Sequence, residues 1–281
     1  MIDTMAERAL QPGSGHFLSG AWSQEHLEPL MWLNTSRVMY VGLLGEPSQR
    51  SFGAYAVYLS FTRPHRVSVE GQPWEDAELS VVAPYVQHRI VSGERMICCL
   101  LIEADSVDHR RLPVFLQTGA GAVVEAHRQQ MLAGMRHAIA RLRNSASRQY
   151  ASSARFDEEF FGAALCPREL DARIRAAVER IKDEPNGQAS ARDFAKMSHL
   201  SVSRFLHLFK ADVGASFRSF RAWQRARSLL YHVTLRKSLT NIALDVGYPD
   251  SSHFSHSIRQ TYGLTPRLIF AGSRRLELHK A

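Results

Sequence analysis

A two-helix pattern occurs twice in the last third of this 281-residue chain, and few folds accommodate such a repeat. The first copy runs Asp193–Leu200, then Ser201–Lys210, and ends at Gly214-Ala215-Ser216. The second runs Asn241–Tyr248, then Pro249–Arg259, and ends at Gly263-Leu264-Thr265. Ala195 falls on Ala243, Leu200 on Tyr248, Phe205 on Phe254, Phe209 on Ile258, Lys210 on Arg259 and Gly214 on Gly263. The offset is 48 before the turn and 49 after it, so the second turn is one residue longer. Each copy reads as a short helix, a tight turn and a second helix. Two such units in tandem imply a reader of duplex DNA, because the second helix of a helix-turn-helix enters the major groove.

Helical phase sorts the side chains of the two second helices. In the first, Phe205, Leu208 and Phe209 form an apolar side and leave Ser203, His207 and Lys210 outward. In the second, Phe254 and Ile258 face inward, while Ser252, His256 and Arg259 share the outer face with His253 beside them. Ser201, Arg204 and Ser251, at the starts of these helices, complete the candidate DNA contacts. Short polar side chains and imidazoles suit base edges, and cations suit phosphates. The turns need a residue that tolerates positive φ. Gly247 supplies this in the second copy, and His199 stands there in the first. Ser190 with Asp193 reads as a capping pair for the first unit. Between the units, Phe217 to Leu235 contains no Gly or Pro and reads as one long spacer helix, striped by Phe220, Trp223, Leu230 and Val233. Such a spacer lets two readers enter groove segments roughly 34 Å apart.

Charge follows the repeat. Residues 167–281 carry 20 Lys+Arg against 10 Asp+Glu, while the whole chain is only +8, so the first 166 residues are slightly acidic. A basic half draws a protein towards phosphate backbones by counterion release. Length favours two domains. No apolar run reaches the ~20 residues of a membrane span, and Met1 to Gly20 lacks the layout of a secretion signal, so a cytoplasmic location is expected. Cys98, Cys99 and Cys166 are too few and too poorly spaced for a disulfide framework or a zinc site. Adjacent Cys98 and Cys99 point to opposite faces of a strand.

Residues 37–104 read as short strands rich in Val, Ile, Tyr and Phe: 37–41, 55–61, 66–70, 79–83, 88–91 and 96–102. This rhythm predicts a small antiparallel barrel or sandwich. The period changes at residues 123–142, an amphipathic helix with Val124, Met131, Met135, Ile139 and Leu142 on one side. That side either packs on the barrel or forms a homodimer interface. Residues 144–166 are the expected linker, Ser/Ala/Arg-rich at first and helical from Phe156 to Leu165. From Pro167 onward the pattern is helical throughout.

The segment Ile242-Ala243, Gly247-Tyr248, Ser251-Ser252-His253-Phe254-Ser255 and Tyr262-Gly263-Leu264-Thr265-Pro266 resembles the C-terminal signature of AraC/XylS-type transcriptional regulators. Arg225 to Leu230 resembles the family's inter-motif helix, and the likeness covers roughly residues 168–272. The resemblance implies an α+β chain of two domains. Residues 1–155 would be a cupin-like antiparallel β-barrel with following helices, for effector sensing and dimerisation. Residues 167–275 would be an all-α domain of about seven helices with helix-turn-helix units at 190–210 and 239–260. It assigns base reading to Ser203 and His207 in the first unit and to Ser252, His253 and His256 in the second. Partners implied are promoter DNA, a small-molecule effector and, for an activator, RNA polymerase. Family members usually carry Arg at the position of His256 and an aromatic at that of Ile258. A histidine reads a base through one hydrogen bond rather than a bidentate fork, which predicts modest affinity supported by phosphate contacts.

The first half is similar to a cupin-type sensory domain through its strand rhythm and Ala83-Pro84-Tyr85-Val86-Gln87-His88. A metal cupin needs several convergent ligands, and only His65 stands near the right place, so neither metal nor cofactor is expected. A barrel lumen holding a small organic effector is expected instead, with Tyr58, His65, Trp74, Tyr85 and His88 as candidate lining. Two other readings remain: an effector-independent DNA-binding regulator, and a cupin enzyme fused to a helical domain. The enzyme finds no support in paired carboxylates, a nucleophile elbow, a phosphate loop or a metal triad.

Overall fold

A computed structural model of the chain describes residues 28–43, 48–92, 94, 96–117, 125–143, 152–235 and 237–280. The first half supplies eight strands: β1 (Leu30–Leu33), β2 (Arg37–Gly42), β3 (Ala54–Leu59), β4 (His65–Val69), β5 (Glu75–Ala77), β6 (Leu79–Val82), β7 (His88–Ser92) and β8 (Ile97–Glu103). Three helices follow: α1 (Val114–Gln117), α2 (Glu125–Arg143) and α3 (Ser153–Phe161). The second half holds α4 (Ala172–Asp183), α5 (Ala191–Met197), α6 (Val202–Val213), α7 (Phe217–Ser228), α8 (Leu239–Asp245), α9 (Ser251–Tyr262), α10 (Pro266–Gly272) and a last strand, β9 (Glu277–Lys280).

The strands form two sheets, ordered β6-β3-β8-β2-β1-β9 and β5-β4-β7. They face each other without closing into the expected barrel. The reason lies in the central strands, which are apolar on both alternations. Along β8, Cys98, Leu100 and Ile102 enter one apolar cluster while Ile97, Cys99 and Leu101 enter another. A small barrel whose outer wall met water would read as alternating apolar and polar residues, whereas a strand buried on both faces reads as continuously apolar. The larger sheet is thus a middle layer. Its first face is covered by α2 and α3. Its second is covered by Val67 and Ile90 of the small sheet and by helices of the second half.

The apolar side of α2, with Met131, Met135, Ile139 and Leu142, packs on the chain's own sheet. Of its two expected uses, packing on the chain's own sheet is the one observed. Val123 and Val124 lie outside the described residues, as does most of the first part of the expected linker. Helix α3 is locked beneath by stacking of Trp32 on Phe156, centroids 5.1 Å apart, and by the buried Arg37–Asp157 pair at 2.7 Å.

Two further departures position the site. The spacer helix stops at Ser228, giving way to a 3-10 turn at Leu229–Tyr231, so it is shorter than expected. The Ser228 hydroxyl donates to the Arg225 carbonyl at 2.8 Å, and Leu229, Leu230 and Val233 turn into the cluster shared with the sheet. The last strand, β9, pairs in parallel with β1 from Leu30–Glu277 to Leu33–Lys280, so the chain's end joins the first half's sheet. The two helix-turn-helix units also rest on different cores. The first has its own cluster, built from Ile174, Ile181, Phe194, Phe205, Phe209, Phe217 and Phe220. The second, through Ile242, Tyr248, Phe254 and Ile258, shares the cluster of the sheet. Helix α7 bridges them, with Phe220 in one cluster and Trp223 in the other.

Candidate nucleic-acid interface

In the first unit, α5 begins with a reciprocal cap: the Asp193 N–H donates to Ser190 Oγ at 3.3 Å, and the Ser190 N–H donates to Asp193 Oδ2 at 2.8 Å. The chain turns at His199, whose φ is +53°, and the Leu200 N–H donates to the Ala195 carbonyl at 2.9 Å. Ser201 then caps α6, accepting from the Arg204 N–H at 3.2 Å. Phe205, Phe209 and Val213 are buried, while Ser201, Ser203, Arg204, His207 and Lys210 are exposed.

The second unit repeats this geometry. Gly247 has a φ of +81°, and the Tyr248 N–H donates to the Ala243 carbonyl at 2.9 Å, the counterpart of the Leu200 bond. A Cβ at Gly247 would lie 2.5 Å from that of Asn186, so close approach and backbone conformation both require glycine here. The extra turn residue lets Asp250 cap α9, accepting from the Ser252 and His253 N–H groups at 2.8 Å each. Those N–H groups, His253 first, hold the Asp250 carboxyl below the ordinary carboxylate range. Phe254 and Ile258 are buried, and Ser251, Ser252, His253, His256 and Arg259 are exposed.

All ten residues expected to meet DNA therefore stand exposed in two groups, one per second helix. Sequence patterning does not point to two of their neighbours, Val202 and Leu206, which are 37% and 38% exposed on α6. Their apolar character hides them, since such residues are expected on the helix's inner side.

The helical half is fastened to the sheet by a buried carboxylate. Glu103, 1% exposed at the end of β8, accepts from Trp223 Nε1 at 2.7 Å and Gln224 Nε2 at 2.9 Å and pairs with Arg227 Nε at 2.7 Å. Burial pushes its carboxyl above the ordinary range, opposed by the Arg227 guanidinium. Arg227 also donates to the Asn34 carbonyl. Nearby, Asp105 pairs with Lys182 of α4 at 2.5 Å. A Cβ on Gly53 would clash with the Trp223 ring, so this glycine permits the close contact. The acidic end of an apolar strand is visible in the sequence, but nothing local points to partners more than a hundred residues away.

A cavity of about 400 Å³ lies between the halves. Met31, Val38, Phe52 and Leu101 of the sheet side face Leu230, Val233, Tyr262, Leu264, Leu268 and Ile269 of the helical side, and Arg50 stands on its wall. Cys99 also lines it, and burial pushes that thiol up to about 12. The five residues expected to line an effector lumen lie elsewhere. Tyr58, His65 and His88 come together as a packed polar seam between the sheets: His65 sits 2.8 Å from Ser60 Oγ and 2.7 Å from Ser80 Oγ, and His88 sits 2.7 Å from the Tyr58 hydroxyl. Trp74 lies at the rim under the Arg66 guanidinium. Tyr85, at φ +64°, lines a separate cleft with Gln87, His256 and Arg259. Among the described residues, no group of three or more His, Cys, Asp or Glu is placed to hold a metal ion. None of their helices is long and apolar enough to cross a membrane.

A protein-family profile described as a helix-turn-helix domain matches residues 194–271. The arabinose operon regulatory protein of Escherichia coli (strain K12) is 30% identical over 105 residues, covering 37% of this chain and 36% of that protein. Regulatory protein PocR of Salmonella typhimurium is 32% identical over 104 residues, covering 36% and 34%. The chain thus matches little more than a third of the length of these relatives. Among solved structures, an apo form of ToxT from Vibrio cholerae strain SCE256, carrying a single substitution, aligns with a TM-score of 0.53 at 13% identity. The alignment spans 84% of this chain and 97% of that one, a likeness of fold.

Proposed function

We propose that the helix-turn-helix part of the chain is of the AraC/XylS type, a reading that the match of residues 194–271 and the likeness to the arabinose operon regulatory protein support, and that the whole protein is a sequence-specific transcriptional regulator whose DNA binding responds to a small-molecule effector. Residues 167–275 act as the DNA-binding domain and residues 1–155 as the regulatory one. Ser203, His207, Ser252, His253 and His256 read bases, and Ser201, Arg204, Lys210, Ser251 and Arg259 hold the phosphate backbone. The observation that carries this reading is the exposure of those ten residues in two groups, on helices presented by the same turn geometry. Activation through RNA polymerase is the form of regulation that the resemblance favours.

The effector belongs in the cavity between the halves rather than inside the sheet sandwich. Its size and apolar walls suit a small, mostly apolar molecule. The far wall comes from residues flanking the second unit, so a ligand there touches the body on which α9 sits. The test is thermal unfolding of the purified chain with a panel of apolar carboxylic acids and neutral metabolites. A ligand bound only by the folded state raises the midpoint, and one that does so should also change affinity for promoter DNA. A protein that binds its promoter identically with and without every such ligand is an effector-independent regulator.

A further inference from the structure

The two recognition helices differ in a way that their shared scaffold does not require. Every exposed residue of α9 named above is a serine, a histidine or an arginine, and its large apolar side chains, Phe254 and Ile258, are buried. Helix α6 instead keeps Val202 and Leu206 exposed, one turn apart and outside the apolar cluster that its Phe205, Phe209 and Val213 build. With about 100° of rotation per residue, Leu206 falls about 60° from Ser203 and about 60° from the buried Phe209, at the border between the outer and the buried faces of the helix. The same unit carries exposed cations, Arg204 and Lys210 on α6 and Arg192 and Lys196 on α5. Exposed apolar side chains on a helix that also presents cations fit a polyanion that displays apolar groups. In the major groove those groups are the C5 methyls of thymine, which aliphatic side chains contact directly.

We propose that Val202 and Leu206 make the first unit a thymine-methyl reader, while the second unit reads by hydrogen bonds alone. Leu206 is the specificity-determining residue, nearer to Ser203 and His207; Val202, at the helix start, extends the strip. The two half-sites then differ in chemistry as well as sequence, and the protein cannot bind its promoter in reverse orientation with equal affinity. This assignment rests on the reading of α6 as a recognition helix.

The test uses the full chain and a duplex selected by it from a randomised library. Each thymine in the tract protected by the first unit is replaced in turn by deoxyuridine, which pairs identically but lacks the C5 methyl. Wild-type protein should lose about fourfold in affinity per contacted methyl, the equivalent of about 0.8 kcal/mol for one buried carbon. The same replacement in the second tract should leave affinity unchanged. Leu206→Ala should bind the thymine duplex more weakly and respond less to the replacement. Wild-type binding indifferent to deoxyuridine throughout the first tract overturns the proposal while leaving DNA reading intact. Failure of the chain to select any duplex overturns both. If Leu206→Ala instead changes the oligomeric state in light scattering and leaves the deoxyuridine response unaltered, the strip is a protein interface and the proposal is wrong.

Discussion

His65 and His88 show how far a residue's surroundings outweigh its type. Both are polar, both lie in an aromatic-rich stretch, and both read as ligand contacts in the sequence. The structure buries them between the sheets, with hydroxyl partners from Ser60, Ser80 and Tyr58. Burial depresses each imidazole from 6.5 to about 4. In the unfolded chain they take up protons near 6.5, in the folded chain only near 4. Within that window the unfolded state therefore binds more protons, so stability present above 6.5 is lost as pH falls towards 4. At 1.36 kcal/mol per pKa unit, the loss reaches roughly 3 kcal/mol for each histidine at its fullest. The melting midpoint should drop between pH 7.5 and 5, and His65→Gln should reduce that drop by about half. A variant with an unchanged pH slope would place the acid sensitivity elsewhere. No local pattern distinguishes a histidine in such a seam from one lining a cavity, which is why the expected lining set does not assemble around a lumen.

At the scale of elements, the helix-turn-helix units are legible in the sequence because their determinants are local. Caps at Ser190, Ser201 and Asp250, a positive-φ turn at His199 or Gly247 and buried phenylalanines all fall within short stretches of chain. The elements that differ from expectation depend on distant partners. Helix α7 ends at Ser228 because Leu229, Leu230 and Val233 are drawn onto the sheet, and β9, which has little strand character, forms because β1 offers an edge. Strand β1 itself is a four-residue apolar run, too short to stand out from the sequence around it. For α9 the division of labour predicts separable effects. Arg259→Ala should weaken binding to all duplexes alike and lower the dependence of log affinity on log salt by about one contact. Ser252→Ala and His256→Ala should instead alter preference at particular base pairs, read by competition among duplexes differing at one position. Equal loss across all sequences in the His256 variant would move that residue to the backbone.

On the scale of the whole molecule, the two readers have unequal foundations. The first stands on its own cluster and reaches the sheet mainly through α7 and the Lys182–Asp105 pair, whereas the second is continuous with the sheet and with the interdomain cavity. Glu103 is the fastening between the halves. Glu103→Gln leaves the Arg227 guanidinium buried without its counter-ion, and removing one partner of a buried pair costs roughly 3–5 kcal/mol. Denaturant unfolding of the full chain should register that loss, and Glu103→Gln combined with Arg227→Gln should recover part of it. Whether one chain carries two major-groove readers on a common spacer is decided most directly by methylation interference at guanine N7 across a selected duplex. Two interfering major-groove tracts, about one helical turn apart on one face of the DNA, are predicted. A single tract, or no interference at any guanine N7, would contradict it.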